Sequence, residues 1–126
     1  MPRVSRELIE YYVNAHKNIW KYVREKIYIG SSSDIITLKT EACCLNGYNF
    51  RFCCALCELL NVIECGCDTC SLITGISHIG CGCLEGLYDN ICEALTDNKP
   101  LRLELANEIL HCVDNWEENA KKGGLI

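Results

Sequence analysis

Twelve of the 126 residues are cysteine, and six of them fall in one stretch, "CCALCELLNVIECGCDTC", residues 53–70. Two Cys-x-x-Cys pairs stand within it, Cys54-Ala-Leu-Cys57 and Cys67-Asp-Thr-Cys70, with nine residues between them. A Cys-x-x-Cys turn points both sulfurs the same way and lets backbone amides hydrogen-bond to the thiolates. Two such turns facing each other make a closed S₄ site, the usual arrangement of structural zinc. Cys54, Cys57, Cys67 and Cys70 are therefore the expected metal ligands. Cys53, Cys65, Cys81 and Cys83 stand close enough in sequence to replace one of the four, and Cys81 or Cys83 could serve a second ion. His78 is a candidate only for a Cys₃His variant. Cys92 and Cys112 are expected to be core thiols, since free cysteine packs as a small hydrophobe.

The same thiolates could hold an iron–sulfur cluster, although the spacing departs from the common ferredoxin runs and no proline follows a candidate ligand. Thiol–disulfide redox chemistry is the one enzymatic alternative. A single Cys-x-x-Cys opening a helix after a strand would point to it. Here neither pair follows a clear strand, and the only prolines are Pro2 and Pro100. Glu58, Glu64, Asp68 and Glu85 flank the cysteines, and neighbouring carboxylates are expected to hold thiols protonated. There is no P-loop, no Gly-x-Gly-x-x-Gly, no His-Glu-x-x-His and no Gly-x-Ser-x-Gly. Four thiolates around a dication make a closed, electron-rich site, which suits a structural role. A non-enzymatic protein is expected.

The elements that would carry these residues read as helices. Ser5 is a plausible N-cap for a helix over 5–28, with Leu8, Tyr12, Ala15, Ile19, Tyr22 and Val23 on one stripe. Gly30 and three serines end it. "DIITLKTEACC" has both helical and strand-like character and is expected to form a helical turn or two. Asn46-Gly47 is a turn. Residues 52–62 suggest a short helix with cysteines along one side, and 64–83 show no periodicity. A helical pair over 84–118 follows, with Asp97 or Asn98 as the second cap and Pro100 in its first turn. Leu105, Ile109, Val113 and Trp116 form its stripe, and residues 119–126 are expected to fray. His16 and His111 are expected at helix surfaces or ends.

The fold class is thus mainly α, a single domain of three to four helices around an irregular, zinc-knuckle-like centre spanning 43–83. A chain of this length can bury one core without obligatory staples. Its net charge of −5 gives no help to nucleic-acid binding, and no specific nucleic acid is expected. No apolar run approaches a membrane span or a secretory signal, so a cytoplasmic protein is expected, where dense cysteine more often binds metal than forms disulfides.

"AHKNIW" in the first helix, then "CALC", "CDTCSL", "TGISHIGC", Tyr88 and a closing "EILHCVDNW" resemble a group of small bacteriophage- and prophage-encoded proteins of uncharacterised activity. The resemblance spans residues 15–116, and its matched cysteines are Cys54, Cys57, Cys67, Cys70 and Cys81. It implies a viral accessory or anti-defence protein acting in the cytoplasm of an infected host and binding a host protein. Trp20, Tyr11 and Tyr22 are candidate contacts if exposed. The alternative is a pocket, formed on oligomerisation, for a small anionic, nucleotide-like ligand. Helix N-termini and the Gly-rich loop 75–86 would supply its donors.

Overall fold

The structure is a computed structural model that describes residues 4–50, 54–65, 67–75 and 87–126, with the backbone alone for 67, 68 and 87. Seven helices lie among the described residues: α1 (Arg6–Tyr28), α2 (Ile35–Asn46), α3 (Ala55–Val62), α4 (Ser71–Thr74), α5 (Leu87–Glu93), α6 (Lys99–His111) and α7 (Trp116–Lys122). A 3₁₀ turn, Cys67–Cys70, leads directly into α4. No strand occurs among the described residues.

The mainly helical class holds, with two corrections. The helices number seven rather than three or four. The centre, where described, is helical and not an irregular knuckle, because α3, the 3₁₀ turn and α4 occupy most of it. The short helix expected over 52–62 is present as α3, whereas the four-residue 3₁₀ turn and α4 are too short to leave a 3.6-residue signature in the sequence.

α1 is the axis of the fold, packing on α2, α3 and α6. Ser5 caps it as expected, its hydroxyl accepting from the Leu8 amide at 3.3 Å. Its buried residues are Ile9, Val13, Ala15, His16, Ile19, Trp20, Val23 and Ile27. The expected stripe is therefore shifted: Leu8, Tyr12 and Tyr22 sit half-buried at its margin. A single stripe describes a helix with one neighbour, whereas α1 has three. The corollary is that His16, expected at a helix surface or end, is a core residue, and Trp20 is buried beside it.

α2 is a full helix, capped by Asp34, whose carboxylate accepts from the Thr37 amide at 2.7 Å. Gly47 closes it in the left-handed region (φ 71°), the conformation for which Asn46-Gly47 was the sequence signal. α6 starts from Asn98, which accepts from the Leu101 amide, with Pro100 in the first turn. Leu105, Ile109, Val113 and Trp116 all face the core.

α7 packs on α4 so closely that a Cβ on Gly123 would lie 2.5 Å from Leu72 Cδ2. Leu125 is fully buried, and its carbonyl accepts from the Val4 amide at 2.7 Å. The chain thus stays packed up to Leu125, where fraying was expected. The ion pairs that link these ends, Arg6–Glu117 and Lys17–Asp114, are solvent-exposed. Such pairs contribute at most about 1 kcal/mol each. A fully buried Ile or Leu contributes about 1.5–3 kcal/mol. Apolar burial around α1 dominates.

Candidate functional site

The site is built where α3 begins. Cys54 is its N-cap, extended in backbone (φ −120°, ψ 109°), and its sulfur accepts from the Cys57 amide at 3.4 Å. A cysteine thus does what Ser or Asp does at other caps, taking up one of the free amides of the first turn. The Cys54-Ala-Leu-Cys57 spacing makes this happen: residue i+3 of the motif is N3 of the helix.

The thiol of Cys54 is pulled down to about 6. The leading cause is the hydrogen bond from Cys57; burial opposes it, and Lys39 together with the Cys57 and Leu56 amides assists. The expectation that nearby acids hold the thiols protonated is overturned at Cys54, because donors and a cation face the sulfur there. Cys54 remains partly accessible, as does Cys57.

The second Cys-x-x-Cys is brought back against α3 by the way that helix ends. The Cys65 amide donates to Leu60 O at 2.9 Å and the Glu64 amide to Asn61 O at 3.2 Å. This paired pattern is a Schellman motif, which reverses the chain. Its C′ residue needs a left-handed backbone, and Glu64 occupies it with φ 56°, unusual for a residue with a Cβ. The 3₁₀ turn Cys67–Cys70 then packs against α3. Glu64→Gly should relieve about 1 kcal/mol of strain. Its denaturant midpoint should rise with an unchanged m-value; no rise would mean that the Glu64 side chain is anchored by something else.

The four expected ligands are placed unequally. Cys54 and Cys57 meet at the start of α3. Cys70 is buried on the packed turn, among core side chains. Of Cys67 only the backbone is described. Among the alternates, Cys65 is half-buried and its thiol points to Ile63 O at 3.6 Å. Cys53, Cys81 and Cys83, with His78, lie outside the described residues. Among the described residues, no three Cys, His, Asp or Glu side chains converge as a metal-holding group. The donor chemistry fits a soft dication at the Cys54–Cys57 pair, and the turn bearing Cys67 and Cys70 packs on the helix that this pair opens.

Sequence reasoning missed the polar seam behind this pair. Lys39 of α2 is buried, its ammonium 4.2 Å from the centre of the Tyr88 ring. Tyr88 meets Trp20 edge-to-face, and Trp20 in turn lies beside His16. His16 Nε2 donates to Ile109 O at 2.7 Å, and Cys112 Sγ lies 3.7 Å from the same nitrogen. The contact has the outline of a Cys–His dyad without its electrostatics. Burial pushes Cys112 up to about 12 and His16 down to about 4, so both stay neutral. Cys112, which packs against the core, agrees with the expected core thiol; Cys92 does not, being exposed on α5. The signal that could have found Lys39 and His16 is a polar residue on an apolar helical stripe.

The alternative anionic pocket would draw on helix N-termini and on the loop 75–86. The N-termini of α1, α2, α3 and α6 are each capped by their own side chain. The loop proposed to complete it lies outside the described residues apart from Gly75. No helix among the described residues is long and apolar enough to cross a membrane. Comparison with known proteins finds no family model, no curated protein and no solved structure that matches this chain.

Proposed function

We propose that this protein is a non-catalytic helical module whose centre is clasped by zinc, with Cys54 and Cys57 as the nucleating ligands and the Cys67–Cys70 turn supplying the others. The observation that supports it most is the packing of the second Cys-x-x-Cys turn against the helix that Cys54 caps. An amide already directed at the Cys54 sulfur is the second-shell contact that orients a thiolate ligand. Zinc, when bound, would supply a cross-link between α3 and the turn and neutralise the thiolates. Catalysis is not part of this reading, because a site closed by four sulfurs has no open position for substrate.

A specific observation favours a second reading, thiol–disulfide exchange at Cys54–Cys57. The pair stands at a helix N-terminus, where the Cys54 thiol is pulled down to about 6. In that chemistry the Cys54 thiolate attacks a substrate disulfide and expels one thiolate. Cys57, giving up its proton, then attacks the Cys54 sulfur and expels the rest of the substrate. The product is a Cys54–Cys57 disulfide and two reduced thiols.

A chelator competition separates the two. On the zinc reading, the reduced protein takes zinc from a chromophoric chelator, and Cys54→Ser and Cys57→Ser each weaken that uptake by more than the ~100-fold that loss of an outer-shell partner costs. Uptake that is absent, or that is unaffected by both substitutions, rejects it.

A further inference from the structure

We propose that Lys39 is the counter-cation of the zinc clasp, the buried positive charge that lets the centre hold an excess of thiolate. This deepens the zinc reading and rests on it. Lys39 lies on α2 and is only 4% exposed. Lysine is almost never buried to that degree unless its charge is paired. Among the described residues no carboxylate pairs with it: the ion pairs there belong to Arg6, Lys17, His111 and Lys121. The contact its ammonium makes is the face of the Tyr88 ring, 4.2 Å away. A ring face attracts a cation but brings no net negative charge. A desolvated ammonium left without an anion is costly, so this one implies an anion within its reach.

The groups within electrostatic reach of Lys39 include Cys54, Cys92 and His16. His16 carries no negative charge in either protonation state, and desolvation pushes the Cys92 thiol up, away from ionisation. Cys54, the cap of α3, is the remaining one and is a ligand of the clasp. Four thiolates around a dication carry a net charge of −2. The Cys57 amide, 3.4 Å from the Cys54 sulfur, offers only a partial positive charge against that excess. One whole charge on Lys39 offsets half of it. The charge is also held in place before metal arrives, because Trp20 meets the Tyr88 ring edge-to-face and Trp20 is itself buried. Lys39 is thus a positioning residue for the metal, acting through the thiolates and touching none of the zinc's own bonds.

Zinc affinity against a chromophoric chelator, measured on the reduced wild type and three variants, tests this. Lys39→Met keeps the stem and deletes the charge, Lys39→Gln deletes it with a polar end should Met disturb the fold, and Lys39→Arg keeps it. Met and Gln should each weaken zinc binding about 10-fold or more, while Arg stays within about 3-fold of wild type. The metal-free Met variant should unfold at a urea concentration no lower than metal-free wild type, since a buried charge has been replaced by an apolar group. Weaker metal on an undiminished metal-free fold is a combination that a merely structural lysine does not give. Neutral variants that hold zinc as tightly as wild type overturn the proposal and leave the zinc reading standing. So does an Arg variant as weak as the Met one, or a metal-free midpoint that falls along with zinc affinity. Wild-type protein that takes up no zinc overturns both.

Discussion

Replacing Arg102 by Met should destabilise the protein by about 3 kcal/mol, as much as truncating a buried core side chain. At this chain length that lowers the melting temperature by roughly 10–15 °C. The side chain is 1% exposed, and burial pushes its guanidinium down from its usual range, with Asp34 opposing. It stays charged nonetheless, because an arginine cannot lose its proton at any pH a protein survives. A desolvated cation is tolerable only if its protons are accepted. Two of its nitrogens donate to three carbonyls, while Nε has no partner among the described residues. Met keeps the apolar stem and deletes the head, leaving the three carbonyls short of their donor. Lys should recover only part of the loss, since one ammonium cannot reproduce the fork that spans Ser31, Ser33 and Thr96. Urea unfolding of the three proteins measures this. A loss below about 1 kcal/mol for Met would mean that water or backbone replaces the guanidinium without cost.

The second large effect is on pH dependence and comes from His16. Its imidazole is held neutral, down to about 4 against an ordinary 6.5, chiefly by burial and further by Lys39 and Lys17, while the hydrogen bond to Ile109 O opposes. The group that faces it from α6 and its C-cap, besides that carbonyl, is the un-ionised Cys112 thiol. A depressed histidine means that the unfolded chain takes up its proton first as pH falls. The native state therefore carries no penalty from His16 above pH 6.5. It loses stability progressively from 6.5 towards 4, by about 3 kcal/mol in all. Carboxylates held low in the native state, such as Asp34 and Glu117, add their own loss at the acid end of that window. His16→Gln keeps a side-chain donor for Ile109 O and removes the titration. Its stability should be lower than wild type at pH 7.5 and should fall less steeply between pH 6.5 and 5. Parallel pH profiles for the two proteins would contradict a buried neutral histidine.

Both residues show how far the sequence could be read. The caps were legible because their chemistry is local: Ser5, Asn98 and Gly47 need only the few residues beside them. α6 was legible because Leu105, Ile109, Val113 and Trp116 repeat at helical spacing. Arg102 lies on that same stripe, three residues before Leu105, and a charge on an apolar stripe was the available signal. What it binds was not legible, because Ser31 and Ser33 are some seventy residues away. His16 was misplaced for a related reason: α1 is buried on several sides, and one stripe cannot report three neighbours. In the cysteine-rich centre the limit was different. Spacing identified the Cys54–Cys57 turn, which proves to be a helix cap, but the Schellman reversal hung on Glu64, where a glycine would have been the recognisable residue. Cys92 differs again, since nothing local distinguishes an exposed cysteine from a core one on a seven-residue helix.

The central claim is that the Cys54–Cys57 cap is half of a zinc clasp. The most direct measurement takes metal content and free thiols together, on protein purified under reducing, chelator-free conditions. About one zinc per chain is expected, with four thiols protected until the metal is stripped and Cys54 and Cys57 among them. A metal-free protein whose thiols disappear in pairs on mild oxidation, with Cys54 joined to Cys57, would contradict it and assign the pair to disulfide exchange.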